Sequence, residues 1–356
     1  MTDLSAYQGT RPVAEAHRFD VAALERYMRG HVAGFSGPLE VAQFRGGQSN
    51  PTFLLTSPTG RYVMRRKPPG KLLPSAHAVD REYRVITALA GSGVPVGRTY
   101  ALCADESVIG AMFYVMDYVE GRVLWDPRLP GMAPAERRAV YDEMNRVIAA
   151  LHRVDYAAIG LADYGKPGNY FQRQIDRWSR QYKASETEKI EAMDRLIAWL
   201  PRNIPAGDAT TIVHGDYRID NMIFHPSEPR VLAVLDWELS TLGHPMADFS
   251  YHMMAWRLSS TEFRGLRGSD LDALGIPSEA DYLARYLERT GAPPPGEKDW
   301  NFCMAYNMFR AAAIFQGVMA RAVAGNAASA QAVETGRRAR PMAELGWTQV
   351  ERLEAA

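Results

Sequence analysis

The chain has 356 residues, with 41 Lys+Arg against 41 Asp+Glu, and 47% of its residues are hydrophobic and 23% charged. That balance excludes a disordered chain and argues against a general nucleic-acid binder or a polybasic membrane binder. The length exceeds the usual size of one hydrophobic core, which predicts two lobes, and the two cysteines, Cys103 and Cys303, support neither a disulfide framework nor a zinc site.

In chain order, the first helical periodicity runs from Phe19 to about Val32, where Val21, Leu24, Tyr27 and Met28 share a face. Strand-like runs follow at Leu39–Arg45, Thr52–Thr56 and Arg61–Lys67, separated by Gly-Gly and Pro-Thr-Gly turn signals, and they predict an antiparallel meander. A helix is predicted over Ala76–Ala90, then strands at Thr99–Cys103 and Met112–Val119. After Gly121 helices dominate: one around Val140–Leu151, then 169–183, 187–200, 246–257, 279–290 and 298–322. Short apolar runs at Thr211–Val213, Met222–Phe224 and Val231–Leu235 interrupt them. The fold class is α+β and bilobal. Residues 1–118 form a small antiparallel-sheet lobe with an inserted helix, and residues 119–356 form a larger, mainly helical lobe. No basic n-region with an apolar stretch opens the sequence, and no run of about 18 apolar residues occurs, so a cytoplasmic setting without a membrane partner is expected.

The segment HGDYRIDN, His214–Asn221, lies between two apolar runs and is followed by VLDWE, Val234–Glu238. An Asp and an Asn five positions apart, with a further Asp after a buried strand, resemble the catalytic loop and metal-binding Asp of kinases. Phosphoryl transfer needs a carboxylate near the acceptor hydroxyl and oxygen ligands that hold Mg²⁺ against the phosphates. Asp216 fits the first need, and Asn221 and Asp236 fit the second. With HGD in place of HRD and DWE in place of DFG, the sequence resembles the aminoglycoside phosphotransferase superfamily. The set RRKPPG, DREYRV, HGDYRIDN and DWELSTLGHPMAD resembles the branch found alone in bacteria or fused to acyl-CoA dehydrogenases, over roughly residues 20–325.

The resemblance implies a protein-kinase-like fold and an ATP- and Mg²⁺-dependent transfer to a small-molecule hydroxyl. It also implies a role for most of the remaining motifs. Gly46, Gly47, Gln48 and Ser49 of RGGQSN stand where a phosphate loop belongs, although they match GxGxxG poorly. On the strand through Tyr62–Lys67, Val63, Arg65 and Lys67 point together, with Val63 over the adenine and either Arg65 or Lys67 on the α/β-phosphates. Glu82 falls on the apolar face of its helix, where a buried carboxylate needs a cation, and Arg65 or Lys67 is the implied partner. Met116, Asp117 and Val119 of FYVMDYVEG resemble the hinge beside the adenine. Arg218 would offset charge on the transferring group. His214 reads as a loop-fixing residue, Glu238 as a holder of metal-bound water, and Asp248 as an acceptor of backbone N–H bonds from the catalytic loop.

The acceptor regions are basic. Asn169–Lys183 carries four cations and one anion, with Arg173, Arg177 and Arg180 on one face, and Asn301–Pro341 carries five Arg and one Glu, including Arg310. This is either a solvated face or the site of an anionic acceptor, such as a hydroxy acid or its coenzyme A thioester, with Arg173, Arg177 and Arg310 as its ligands. The fusion within the branch also suggests a functional link to acyl-CoA dehydrogenases. The reading from a different class is a nucleotide-binding, pseudokinase-like regulatory module without transfer activity, which would bind Mg·ATP without turning it over.

Overall fold

The structure, a computed structural model, describes residues 9–45, 50–68, 78–325 and 331–354. The glycine-loop expectation at Gly46, Gly47, Gln48 and Ser49, and the first residues of the helix predicted from Ala76, lie outside the described residues.

In chain order the elements are β1 (Thr10–Arg11), α1 (Val21–His31), β2 (Glu40–Phe44), β3 (Thr52–Ser57), β4 (Gly60–Arg66), α2 (Val79–Leu89), β5 (Thr99–Cys103) and β6 (Phe113–Asp117). There follow α3 (Pro134–His152), α4 (Tyr170–Ala184), α5 (Glu191–Trp199), β7 (Thr211–Val213), β8 (Met222–Phe224), β9 (Val231–Val234) and β10 (Thr241–Gly243). The chain closes with α6 (Pro245–Arg257), α7 (Ser260–Phe263), α8 (Leu271–Leu274), α9 (Glu279–Thr290), α10 (Glu297–Val323), α11 (Ala332–Gly336) and α12 (Ala339–Glu354). Among the described residues no helix is long and apolar enough to cross a membrane. The fold is α+β and kinase-like.

The chain divides into two compact units, each discontinuous in sequence. The first comprises residues 1–125, 159–161 and 221–240, and the second comprises the remainder.

In the first unit an antiparallel sheet runs in the order β1-β2-β3-β4-β6-β5. The meander predicted for β2, β3 and β4 is present, but β6 enters between β4 and β5. Burial explains the order: Phe113, Tyr114 and Val115 of β6 are at most 1% exposed, so β6 takes the inner position and β5 the edge. Helix α1 starts where the Asp20 side chain accepts the Ala23 N–H at 3.0 Å, and it places Leu24 and Met28, one turn apart, into the core with Phe53, Leu55 and Met64. Register fixes the neighbours of Arg65, which pairs with Thr52 on β3 and Tyr114 on β6, while Val63 pairs with Met116.

The β8–β9 hairpin belongs to this unit although it comes about a hundred residues later in sequence. Arg122 bridges to Phe224 through a pair of 2.9 Å backbone hydrogen bonds. Beside them Gly121 passes so close that a Cβ there would stand 2.3 Å from the Phe224 carbonyl oxygen. Gly121→Ala is therefore expected to destabilise the protein by about 1–3 kcal/mol, read as a lower urea midpoint with an unchanged slope. Stability equal to wild type would mean that this backbone approach is not tight.

The second unit is built around α10. Its residues from Trp300 to Ala313 are buried on every face, a pattern typical of a central helix, and α4, α6 and α12 pack on it. Helix α3 opens with Pro134, and Glu136 reaches back to the Ala133 N–H at 2.8 Å. A short antiparallel pair joins β7, which leads into the His214–Asn221 segment, to β10, which follows it in the chain.

Candidate active site

The first unit contains a cavity of about 530 Å³, within the size range of nucleotide and cofactor pockets. Val63, Met116, Ile223 and Val234 supply apolar walls, and Arg65 and Asp236 supply charge. Asp117 and Val119 also line it, as do Tyr114 and Trp125, and Lys67 is not among its lining residues. The Asp117 N–H donates to Arg98 O at 2.8 Å, and its carboxylate accepts the Tyr100 hydroxyl.

At the back of this cavity Glu82 is buried and accepts three donors. Arg65 Nε is 3.0 Å from Oε2, the Tyr114 hydroxyl 3.0 Å from the same oxygen, and Asn50 Nδ2 2.8 Å from Oε1. Of the two cations the sequence offered, the structure pairs Glu82 with Arg65. Burial works against the Arg65 charge, but Glu82, assisted by Tyr114 and Asp236, raises its pKa well above the usual value, so the guanidinium stays charged. Burial pushes the Glu82 carboxyl upward, opposed by Arg65. The neighbouring Arg66 points to the opposite face, over the rings of Phe19 and Phe53.

Arg65 also reaches Asp236, with Nη2 3.3 Å from Oδ1. Asp236 holds a left-handed conformation, φ 64°, at the turn after β9. In the β8–β9 register Met222 faces Val234, so Asn221 and Asp236 both flank the same end of the hairpin, where the Leu235 N–H donates to Asn221 O at 2.8 Å. An amide oxygen and a carboxylate are hard donors of the kind Mg²⁺ prefers, so this pair fits that ion. Glu238 is exposed and contributes to the field at Arg65.

In the second unit the loop through Asp216 is clamped from several elements. Asp248 on α6 accepts the His214 N–H at 2.7 Å and the Gly215 N–H at 2.8 Å, and its Oδ2 is 3.1 Å from His152 Nε2. His214 is fully buried, and its Nδ1 accepts the Asp216 N–H at 3.1 Å, a loop-fixing contact. Gly215 has φ +84°, a conformation that a side chain would strain, and its carbonyl accepts Arg310 Nη2 at 2.5 Å. Burial alone would raise the Asp216 pKa, but the Arg218 guanidinium, the Tyr251 hydroxyl, His214 and Arg310 outweigh it and hold the carboxyl below the ordinary range. Arg218 in turn reaches Asp220, to which Arg264 also binds.

The three arginines expected at the acceptor have different surroundings. Arg173 donates to the carbonyls of Gly168 and Lys166. Arg177 is exposed, and both it and Arg310 lie over the Trp178 ring, at 5.2 and 5.7 Å from its centroid. Arg310 is buried among aromatic rings and bonded to the loop. Sequence reasoning missed Tyr251, Tyr114 and Asn50 as polar partners of the site. The signal for Tyr251 was its position three residues after Asp248, which puts both on one helix face.

A kinase-like fold with these features defines a small-molecule phosphotransferase, and the chain belongs to the phosphotransferase enzyme family, whose profile matches residues 40–291. Mouse acyl-CoA dehydrogenase family member 10 is 48% identical over 341 residues, covering 95% of this chain and 32% of that protein. A crystal structure from Ralstonia eutropha with the provisional name aminoglycoside phosphotransferase is 64% identical with TM-score 0.87, covering 94% of this chain and 99% of that one. Aminoglycoside phosphotransferase APH(4)-Ia, solved with AMP-PNP and hygromycin B, is 14% identical with TM-score 0.59 over 92% of this chain and 98% of its own, a likeness of fold alone. The chain spans about a third of the mouse relative's length, and 43% and 45% of an Arabidopsis and a rat relative that also carry acyl-CoA dehydrogenase names.

Proposed function

We propose that the protein transfers a phosphoryl group from ATP, with Mg²⁺, to a hydroxyl of a small anionic acceptor, a hydroxy acid or hydroxyacyl-CoA. The observation that carries this reading is the Asp216 carboxylate, half-buried and held ionised on a loop whose main chain is fixed by Asp248 and Arg310. Such a group accepts a proton from an acceptor hydroxyl without first having to lose one of its own. ATP as donor is supported by the AMP-PNP complex of APH(4)-Ia and by the apolar cavity with Arg65 at its charged end.

In this reading residues 1–118 supply most of the nucleotide-binding residues, joined by Val119 and by the β8–β9 wall of the cavity. Residues 119–356 supply the catalytic loop, the acceptor region and the metal ligands. Val63, Met116, Asp117 and Val119 bind the base, Arg65 neutralises phosphate charge, and Glu82 holds Arg65 in place, with Lys67 and the Gly46–Ser49 segment as further phosphate ligands. Asn221 and Asp236 hold Mg²⁺, which when bound supplies charge neutralisation at the phosphates. Asp216 orients the acceptor and takes its proton, and Arg218 offsets charge on the transferring group.

The acceptor class is supported by the acyl-CoA dehydrogenase names of the relatives and by the exposed cation Arg177. The test is ADP release by the purified protein with Mg·ATP and a panel of acceptors. Hydroxyacyl-CoA or hydroxy acids are expected to accelerate release and kanamycin-like amines are not. The reverse pattern rejects the anionic acceptor, and Mg·ATP binding without release under any acceptor favours a regulatory module.

A further inference from the structure

The two oxygens of Asp216 are held unequally. Oδ1 accepts the Tyr251 hydroxyl at 2.5 Å and lies 3.1 Å from Arg218 Nε, whereas Oδ2 meets Arg218 Nη2 at 3.2 Å. These two donors differ in rigidity. Tyr251 is 9% exposed and sits on α6 one turn after Asp248, so one helix positions both the hydroxyl and the loop N–H groups. Arg310 braces the same ring from α10, its guanidinium 5.0 Å from the Tyr251 centroid while it donates to Gly215 O. Arg218 is a long side chain, 27% exposed, that also reaches Asp220 at 3.6 Å.

We propose that Tyr251 is a positioning residue for the transfer step, tying down Oδ1 of Asp216 so that Oδ2 is the oxygen that takes the acceptor's proton. The proposal rests on Asp216 being the base. In the step the acceptor O–H bond breaks, its proton goes to Oδ2, and the oxygen's electron pair forms the new bond to phosphorus. The bond from phosphorus to the nucleoside diphosphate breaks, and that leaving group keeps the pair. Arg218 withdraws from Oδ2 as the hydroxyl enters and retains Asp220, while Tyr251 stays in place. Burial, and after it Asp216, raise the Tyr251 pKa, so its hydroxyl remains a donor throughout.

Tyr251→Phe removes only that hydroxyl. The charged and titratable groups that shift the Asp216 carboxyl include Arg218 and His214 from its own loop, Tyr251 from α6 and Arg310 from α10. Losing a hydrogen bond to the ionised form favours protonation, so the Asp216 midpoint moves up, by about one pH unit. It is read by carboxyl ¹³C NMR of Asp-labelled protein, with Asp216 assigned by its absence from Asp216→Asn. With Mg·ATP and hydroxyacyl-CoA, kcat falls about ten-fold, the KM for ATP is unchanged, and the acid limb of the pH profile moves up with the midpoint. An unmoved midpoint overturns the proposal, as does a moved midpoint with wild-type kcat. If the wild type shows no hydroxyacyl-CoA-dependent release, the acceptor reading fails instead, an unmoved midpoint still overturns the role of Tyr251, and the kcat comparison is made with whichever acceptor of the panel stimulates release.

Discussion

Asp216→Asn is expected to lower acceptor-dependent phosphoryl transfer by roughly 10²- to 10⁴-fold, the usual contribution of a positioned general base. Asn has the same shape, and its side-chain oxygen can still accept from Tyr251, so the loop held by Asp248 and Arg310 keeps its course. What is lost is the capacity to accept a proton. Asp216 is not among the residues that line the nucleotide cavity, so Mg·ATP affinity is expected to stay within about two-fold of wild type. Calorimetric titration with Mg·ATP, run alongside the transfer assay, checks both halves. Near-normal turnover in this variant would falsify the assignment of Asp216 as the base.

The second large effect concerns Glu82. Its side chain is 1% exposed and that of Arg65 11%, so the pair has given up most of its hydration. Glu82→Ala leaves the Arg65 charge buried with Asp236 as a remaining ion-pair partner and removes the acceptor for Tyr114 and Asn50. Breaking one side of a buried pair costs about 3–5 kcal/mol, far more than the net worth of the intact pair, because the surviving charge is left uncompensated. Urea unfolding is expected to show that loss, with Glu82→Gln in between because its amide still offers a hydrogen-bonding oxygen. A loss below about 1 kcal/mol for Glu82→Ala would mean that Asp236 alone satisfies Arg65. Mg·ATP affinity is expected to weaken in parallel, since an unheld Arg65 no longer presents a fixed cation.

Much of the fold was legible because its signals are local. The runs at 52–56, 61–67 and 99–103 are short and strand-like between turn signals, and the periodic segments near 140–151 and 279–290 each correspond to a helix in the structure. Helix α12 escaped because Pro341 and Gly346 interrupt its pattern. Gly346 is there for packing: a Cβ would stand 3.2 Å from side-chain carbons of both Leu196 and Met308, a contact that no local window reveals. Strands β1 and β10 are two and three residues long and exist only because β2 and β7 pair with them.

In the candidate site the loop motif could be read directly, since carboxylate and amide spacing is constrained by the chemistry. Among its clamps Asp248 was implied by the family resemblance, and the other two were not. Tyr251 and Arg310 meet the loop across 35 and 95 residues, and in sequence one looks like a core aromatic and the other like a surface cation. Burying Arg310 against aromatic rings and the Gly215 carbonyl is a tertiary event, and only the folded chain distinguishes it from the exposed Arg177 on the adjoining α4.

The discontinuity of the first unit bears on how the chain is made. During synthesis at about 5–20 residues per second, the sheet from β1 to β6 emerges many seconds before residues 221–240, which carry β8, β9 and Asp236. Until then Gly121 and Arg122 lack the Phe224 backbone they pair with, one wall of the cavity is missing, and Arg65 lacks Asp236. The unit that starts first is therefore completed late. A nascent chain halted before residue 221 would expose the apolar wall of Val63 and Met116 to solvent, which makes that stretch of translation the natural window for chaperone capture.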